Sequence, residues 1–228
     1  MYAQNNTQLI TFQNTTLRIR PAAVKPSRLL VLIHGLTGDE NSMWVFVRNF
    51  PDDYWIIAPR GPYSAENHDG GYSWWPKQAG FDGTIEDSYE SIALEVLRPV
   101  TNDLISLIDA YTAKNNIQAS QFDLIGFSQG GILANTLSIL YPERTCRTGI
   151  LASFIPANAE SILQEGALKD KPFFVSHGRL DEKVRVENAR QSIEMLDRAG
   201  AQVTYCEDEV GHKVSAHCLR ALEKFFAS

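Results

Sequence analysis

The chain has 228 residues, 44% hydrophobic and 21% charged, a size and balance that suit one large α/β domain with a core big enough to need no covalent staples. Its net charge of −6 and the lack of any Lys/Arg-rich run exclude a surface for nucleic acid or an anionic membrane, which needs a concentrated positive field. The start, Met1-Tyr2-Ala3-Gln4-Asn5-Asn6, has no apolar signal core, and Cys146, Cys206 and Cys218 form no Cys-x-x-Cys pair, so we expect reduced thiols in an unsecreted, cytoplasmic protein.

Residues 9–20 mix β-formers with an Asn14-Thr15 turn signal, which predicts an antiparallel hairpin at one sheet edge. Pro21 and Pro26 bracket a linker. Leu29 to Ile33 is a continuous apolar run, as expected of a parallel strand covered on both faces, and it ends in His34-Gly35-Leu36-Thr37-Gly38. A helical piece over Ser42 to Asn49 precedes a second buried strand, Tyr54 to Ala58. Further strands are expected at Phe122 to Ile125, Thr148 to Ala152, Phe173 to Ser176 and Ala201 to Tyr205. Helical patterns cover Ser88 to Lys114, with a break or bend at Pro99, then Gly130 to Leu140, Val184 to Ala199 and Ser215 to Phe226. This alternation specifies a three-layer α/β/α sandwich, mostly parallel, with its ligand site at the carboxyl ends of the strands. No linker divides it, so residues 1–228 read as one domain.

From Gly61 to Asp87 the pattern lapses, yet Tyr63, Tyr72, Trp74, Trp75 and Phe81 are interleaved with Gly70, Gly71, Gly80 and Gly83. Long irregular segments in compact domains are usually functional or disordered, and the aromatics argue against disorder. We expect Tyr72, Trp74, Trp75 and Phe81 in a substrate-binding wall.

Gly126-Phe127-Ser128-Gln129-Gly130 lies between a predicted strand and a predicted helix, where Gly-x-Ser-x-Gly reads as a nucleophile elbow. Serine is a weak nucleophile at neutral pH and needs a histidine base and an acid, here in the order Ser, Asp/Glu, His. His34 precedes the elbow, His68 falls in the aromatic segment, His177 ends a strand and His217 sits in the terminal helix pattern. His212 follows the last strand and returns to the edge that carries Ser128. Asp181 leaves the penultimate strand at the same edge and is preferred to Glu182 and to the Glu207-Asp208-Glu209 run. Backbone N–H groups of Leu36 and Gln129 are the expected oxyanion donors. Taken singly, Gly35 reads as a turn, Asp181 as a helix cap and His212 as a surface residue. Together with Ser128 they fall at four strand ends in the order that one mechanism requires.

These residues resemble the α/β-hydrolase superfamily and, within it, the phospholipase/carboxylesterase family that includes the acyl-protein thioesterases. The resemblance runs from about Leu29 onward through His34 to Asp39, Gly126 to Gly131, His177 to Val184 and Gly211-His212. It implies a triad of Ser128, Asp181 and His212, with Leu36 and Gln129 at the oxyanion. It implies a carboxylesterase or thioesterase acting on a small-molecule ester or thioester through an acyl-enzyme. The 18 residues from Phe154 to Lys171 are too few for a helical cap domain, so an open site for short to medium acyl chains is expected. The alternatives are a peptidase or perhydrolase with the same triad, or a non-catalytic ligand-binding protein on this fold. No cofactor is expected: there is no Gly-x-Gly-x-x-Gly or P-loop, and no His/Cys/Asp cluster shows metal-ligand spacing.

Overall fold

In the computed structural model, which describes residues 6–25, 27–65, 70–76, 94–156, 159–160 and 162–227, the chain opens with the expected hairpin. Strand β1 (Gln8–Phe12) turns at Gln13 and Asn14, both at positive φ, into β2 (Thr15–Arg20), the backbone twist that a two-residue hairpin loop favours. The apolar runs become β3 (Arg28–Ile33) and β4 (Tyr54–Pro59), joined through a short 3-10 turn, Ser42–Phe46, in place of the longer helical piece. Two-residue strands β5 (Tyr63–Ser64) and β6 (Tyr72–Ser73) pair with each other. Helix α1 (Leu94–Lys114) contains Pro99 without ending there, and the expected helical residues 88–93 lie outside the described residues.

The remaining chain alternates as expected: β7 (Phe122–Phe127), α2 (Gln129–Leu140), β8 (Thr145–Leu151), β9 (Pro172–Gly178), α3 (Val186–Arg198), β10 (Gln202–Asp208) and α4 (Ala216–Ala227). The sheet order is β1-β2-β4-β3-β7-β8-β9-β10, parallel from β4 to β10 and antiparallel at the hairpin edge.

Alternate residues of β3 separate the two cores. Leu29, Val31 and Ile33 pack with Leu104, Ile108, Leu133 and Leu196 from α1, α2 and α3. Leu30 and Leu32 pack with Phe50, Phe174, Leu222 and Phe226 on the side of α4. That is why β3 is apolar throughout. Because β3 and β7 to β10 run parallel, their carboxyl ends share one edge, and each loop leaving that edge can contribute to one site. Among the described residues from 154 to 171 there is no helical insertion above it.

One ion pair ties two of these loops together. Arg60, just after β4, donates from Nε and Nη2 to Glu40 at 2.6 and 2.9 Å and from Nη1 to the Tyr72 hydroxyl at 3.0 Å. Glu40 is only 2% exposed. Its carboxyl sits below its ordinary value of 4.5, chiefly because Arg60 hydrogen bonds to it, against the opposing effect of burial. The unfolded chain therefore binds the proton more readily than the native one, and the pair's stabilisation is complete above about pH 5 and lost as pH falls through the native value. We predict that Glu40→Gln lowers unfolding stability by about 1.5–3 kcal/mol near pH 7, and that the gap closes as both proteins are taken below about pH 4 in urea titrations.

Candidate active site

The elbow is set by one strained residue. Ser128 joins β7 to α2 at φ 51° and ψ −118°, a conformation a non-glycine residue holds only when its surroundings impose it. The Ser128 N–H donates to Leu151 O at 2.9 Å, and its carbonyl accepts from the Ser153 hydroxyl at 2.8 Å. A Cβ at Gly130 would lie 2.1 Å from Ile33 O and 2.5 Å from His34 O, so only glycine lets α2 start this close to the end of β3.

The three candidate side chains meet at this edge. His212 Nε2 lies 2.9 Å from Ser128 Oγ, and His212 Nδ1 lies 2.7 Å from Asp181 Oδ2. With the proton on Nδ1 the ring donates to Asp181 and offers Nε2 as acceptor to the serine hydroxyl. Phe127 packs beside the imidazole at 5.1 Å between ring centroids.

Asp181 is 6% exposed, and its Oδ1 accepts the backbone N–H groups of Lys183 and Val184 at 2.9 and 3.0 Å. Burial alone would raise its pKa. Hydrogen bonds from His177, His212 and the Val184 N–H prevail and hold the carboxyl far below its usual range, so it stays an anion. His177 donates from Nε2 to Val184 O at 2.8 Å and approaches Asp181 Oδ2 at 3.4 Å.

The N–H groups of Leu36 and Gln129 have no acceptor within the chain among the described residues. The loop that carries Leu36 is fastened from below. Thr37 N–H donates to Tyr72 O, and Tyr72 N–H donates to Gly38 O. His34 donates from Nδ1 to Gly35 O at 2.7 Å and accepts the Gly61 N–H on Nε2 at 2.8 Å, and burial lowers its pKa so that the ring stays neutral.

Trp74 and Trp75, expected in a substrate wall, are 3% and 7% exposed and belong to the core beneath it. The Trp74 indole N–H donates to His34 O at 2.8 Å, and its backbone N–H donates to Gln129 Oε1 at 3.1 Å. Gln129 Nε2 in turn donates to Ser73 Oγ at 2.9 Å. Tyr72 is half-buried, with its hydroxyl on Arg60. Phe81 lies outside the described residues. The supporting parts played by Ser153, His177 and the Gln129 amide were missed. A glutamine beside the serine of an elbow carries no sign in the sequence of which loop it will hold.

The cysteines require a correction. Cys206 and Cys218, expected as free thiols, form a disulfide between β10 and α4, and Cys146 is free. Twelve residues separate them, and only the return of α4 onto β10 brings them together. This removes the thiol argument for a reducing compartment. The sulfurs of Cys206 and Cys218 and a nitrogen of His217 lie within 4.8 Å of one another, and the disulfide takes both sulfurs out of metal ligation. No helix among the described residues is long and apolar enough to cross a membrane.

Comparison with known proteins agrees with this architecture. The profile of the family described as Phospholipase/Carboxylesterase matches residues 14–228. A probable carboxylesterase, SOBER1-like, of Arabidopsis thaliana is 28% identical over 185 residues, covering 78% of this chain and 68% of its own. Acyl-protein thioesterase 1 of Mycosarcoma maydis is 26% identical over 197 residues, covering 79% and 80%. Among solved structures, a Bacillus cereus carboxylesterase superposes with a TM-score of 0.79 at 16% identity, covering 93% of each chain. A Mesorhizobium loti carboxylesterase gives 0.78 at 17%, covering 98% of this chain and 100% of that one.

Gly178 faces the His212 loop so closely that a Cβ there would lie 2.1 Å from Val210 O and 2.4 Å from Gly211 O. Gly178→Ala should push that loop away and break the Asp181–His212 bond. The strongly downfield imidazole N–H proton that this bond produces should be visible by NMR in the parent and in Leu180→Ala, and lost in Gly178→Ala. Its persistence there would show that the loop does not depend on this contact.

Proposed function

From the premise that the chain belongs to the phospholipase/carboxylesterase family, we propose that it is a serine hydrolase of carboxylic esters or thioesters, with Ser128 as nucleophile, His212 as base and Asp181 as orienting acid. The observation that carries this reading is the unbroken line from Asp181 Oδ2 through both nitrogens of His212 to Ser128 Oγ, at 2.7 and 2.9 Å. As Ser128 Oγ attacks the acyl carbon, His212 Nε2 takes its proton, and the anionic Asp181 stabilises the resulting imidazolium. The carbonyl oxygen becomes an oxyanion that the N–H groups of Leu36 and Gln129 receive, aided by the helix dipole of α2. His212 then protonates the departing alcohol or thiol. Water, deprotonated by His212, attacks the acyl-serine and releases the acid.

The absence of a helical insertion among the described residues near the strand ends supports an open site and short to medium acyl chains. Trp74 and Trp75 act in this reading as the floor under the oxyanion loop, and Tyr72 as its clasp through Arg60. We also propose that residues 1–228 form one domain, since β1 and α4, near the two ends of the described chain, pack on the same sheet.

An acyl-length series of p-nitrophenyl esters and matched thioesters, from acetyl to palmitoyl, tests the proposal. Rates should peak between acetyl and octanoyl, and Ser128→Ala should lose about four orders of magnitude or more in kcat. Full activity in Ser128→Ala would refute the nucleophile, and a peak at palmitoyl would refute the acyl range. Faster turnover of amides than of esters would favour a peptidase.

A further inference from the structure

We infer that the Cys206–Cys218 disulfide is a reversible redox-modification site whose state sets how firmly His212 is held against Ser128. The inference rests on His212 acting as the base. Cys206 lies in β10 and Cys218 in the first turn of α4, so the bond joins the two roots of the loop 209–215, and His212 is in the middle of that loop.

The loop's other ties are noncovalent: the His212–Asp181 bond, the close packing of Val210 and Gly211 on Gly178, and the Arg179–Glu209 ion pair at 3.7 Å. Among the described residues its backbone reaches the preceding strand ends through the Leu180 N–H to Val210 O bond at 3.0 Å. The Lys213 N–H to Gly211 O bond stays within the loop. At its far root, the Ser215 hydroxyl accepts the Cys218 N–H at 3.1 Å, and the Ser215 side chain also hydrogen bonds to Asp208 at the end of β10, a noncovalent link between the same two roots. β10 is fixed by its ladder to β9, whereas the start of α4 is fixed covalently by the disulfide and noncovalently by the Asp208–Ser215 hydrogen bond and the apolar packing of Val214, Leu219, Leu222 and Phe226. Reduction keeps β10 in place and leaves only noncovalent ties at the end of α4 from which the loop returns, which loosens it. The imidazole then samples positions in which Nε2 is out of reach of Ser128 Oγ. A displacement of about 1 Å is enough to cost a base much of its effect.

The surroundings also favour exchange. Cys206 is the less deeply buried sulfur, at 7% against 1% for Cys218. Exposed His217 brings Nδ1 to 3.9 Å from Cys206 Sγ. With a dithiol as reductant, one of its thiolates attacks Cys206 Sγ and forms a mixed disulfide, and Cys218 leaves as a thiolate that takes up through water the proton the attacking thiol gave up. The second thiol of the reductant then attacks its own sulfur in the mixed disulfide and releases Cys206. The reductant ends as a cyclic disulfide, having supplied two electrons and two protons, and an oxidised dithiol reverses the sequence.

The test compares one preparation of the full chain in three states: air-oxidised, reduced with dithiothreitol, and reoxidised with oxidised dithiothreitol. Alkylation and peptide mapping should find only Cys146 labelled in the oxidised protein and all three cysteines labelled after reduction. On p-nitrophenyl butyrate, reduction should lower kcat by about fivefold or more, change KM by less than about twofold, and be undone by reoxidation. Cys146→Ser should behave like the parent, and Cys206→Ser/Cys218→Ser should show the reduced rate and respond to neither reagent. A purely structural cross-link would change thermal stability and leave the kcat of the folded protein unmoved, and that result would overturn the inference. So would alkylation of Cys206 and Cys218 in the oxidised protein. If the ester is hydrolysed in neither state while the disulfide maps as expected, the function proposed above fails and takes this inference with it.

Discussion

Ser128, at a φ of 51°, turns the chain from β7 into α2 in a single residue, and Gly130 allows the first turn of that helix to rest against the carbonyls of Ile33 and His34. This contact is the constraint on which the rest of the site depends. It fixes the serine hydroxyl above the sheet edge, and it sets the N-terminus of α2 beside the loop that leaves β3. The N–H groups of Leu36 and Gln129, which have no acceptor among the described residues, belong to that loop and to that helix start. A side chain at position 130 would separate them, because the helix would have to lift from β3 by more than an ångström to clear its backbone oxygens.

The other loops take their places from the parallel sheet. β9 and β10 run alongside β7 and β8, so Asp181 and His212 leave at the same edge as Ser128. Each is then held by neighbours with no reacting group to offer. The Asp181 carboxylate is kept ionised by N–H donors, which lets it orient the His212 ring without competing for its proton. The loop containing Leu36 is anchored by neutral His34, by the buried Glu40–Arg60 pair and by the two-way exchange with Tyr72. Gln129 couples the two halves, since its backbone opens α2 while its side-chain amide holds Ser73 and Trp74.

The strands and the meeting of Ser128, Asp181 and His212 at one sheet edge were legible because both leave periodic or positional traces. A run such as Leu29 to Ile33 can hardly be anything but a strand covered on both faces, and its two cores are indeed different sets of residues. Ser128, Asp181 and His212 were found by their places after strands, and the fold brings those places together. Contacts between distant irregular segments left no such trace. Trp74 and Trp75 were read by composition as a wall, but aromatic rings are as apt to fill a core as to bind substrate, and here the indole N–H finds its partner on the backbone of His34. Cys206 and Cys218 lie on different elements, twelve positions apart, and meet only when α4 folds back on β10. The supports at Ser153 and Gln129 depend on side-chain direction, which neither spacing nor propensity reveals.

The claim that Ser128 is an activated nucleophile is tested most directly by mass spectrometry after brief treatment with a fluorophosphonate. A single adduct should form and map to Ser128, and His212→Ala should suppress it although that serine is untouched. An adduct on another residue, or labelling of Ser128 at the same rate without His212, would contradict the account.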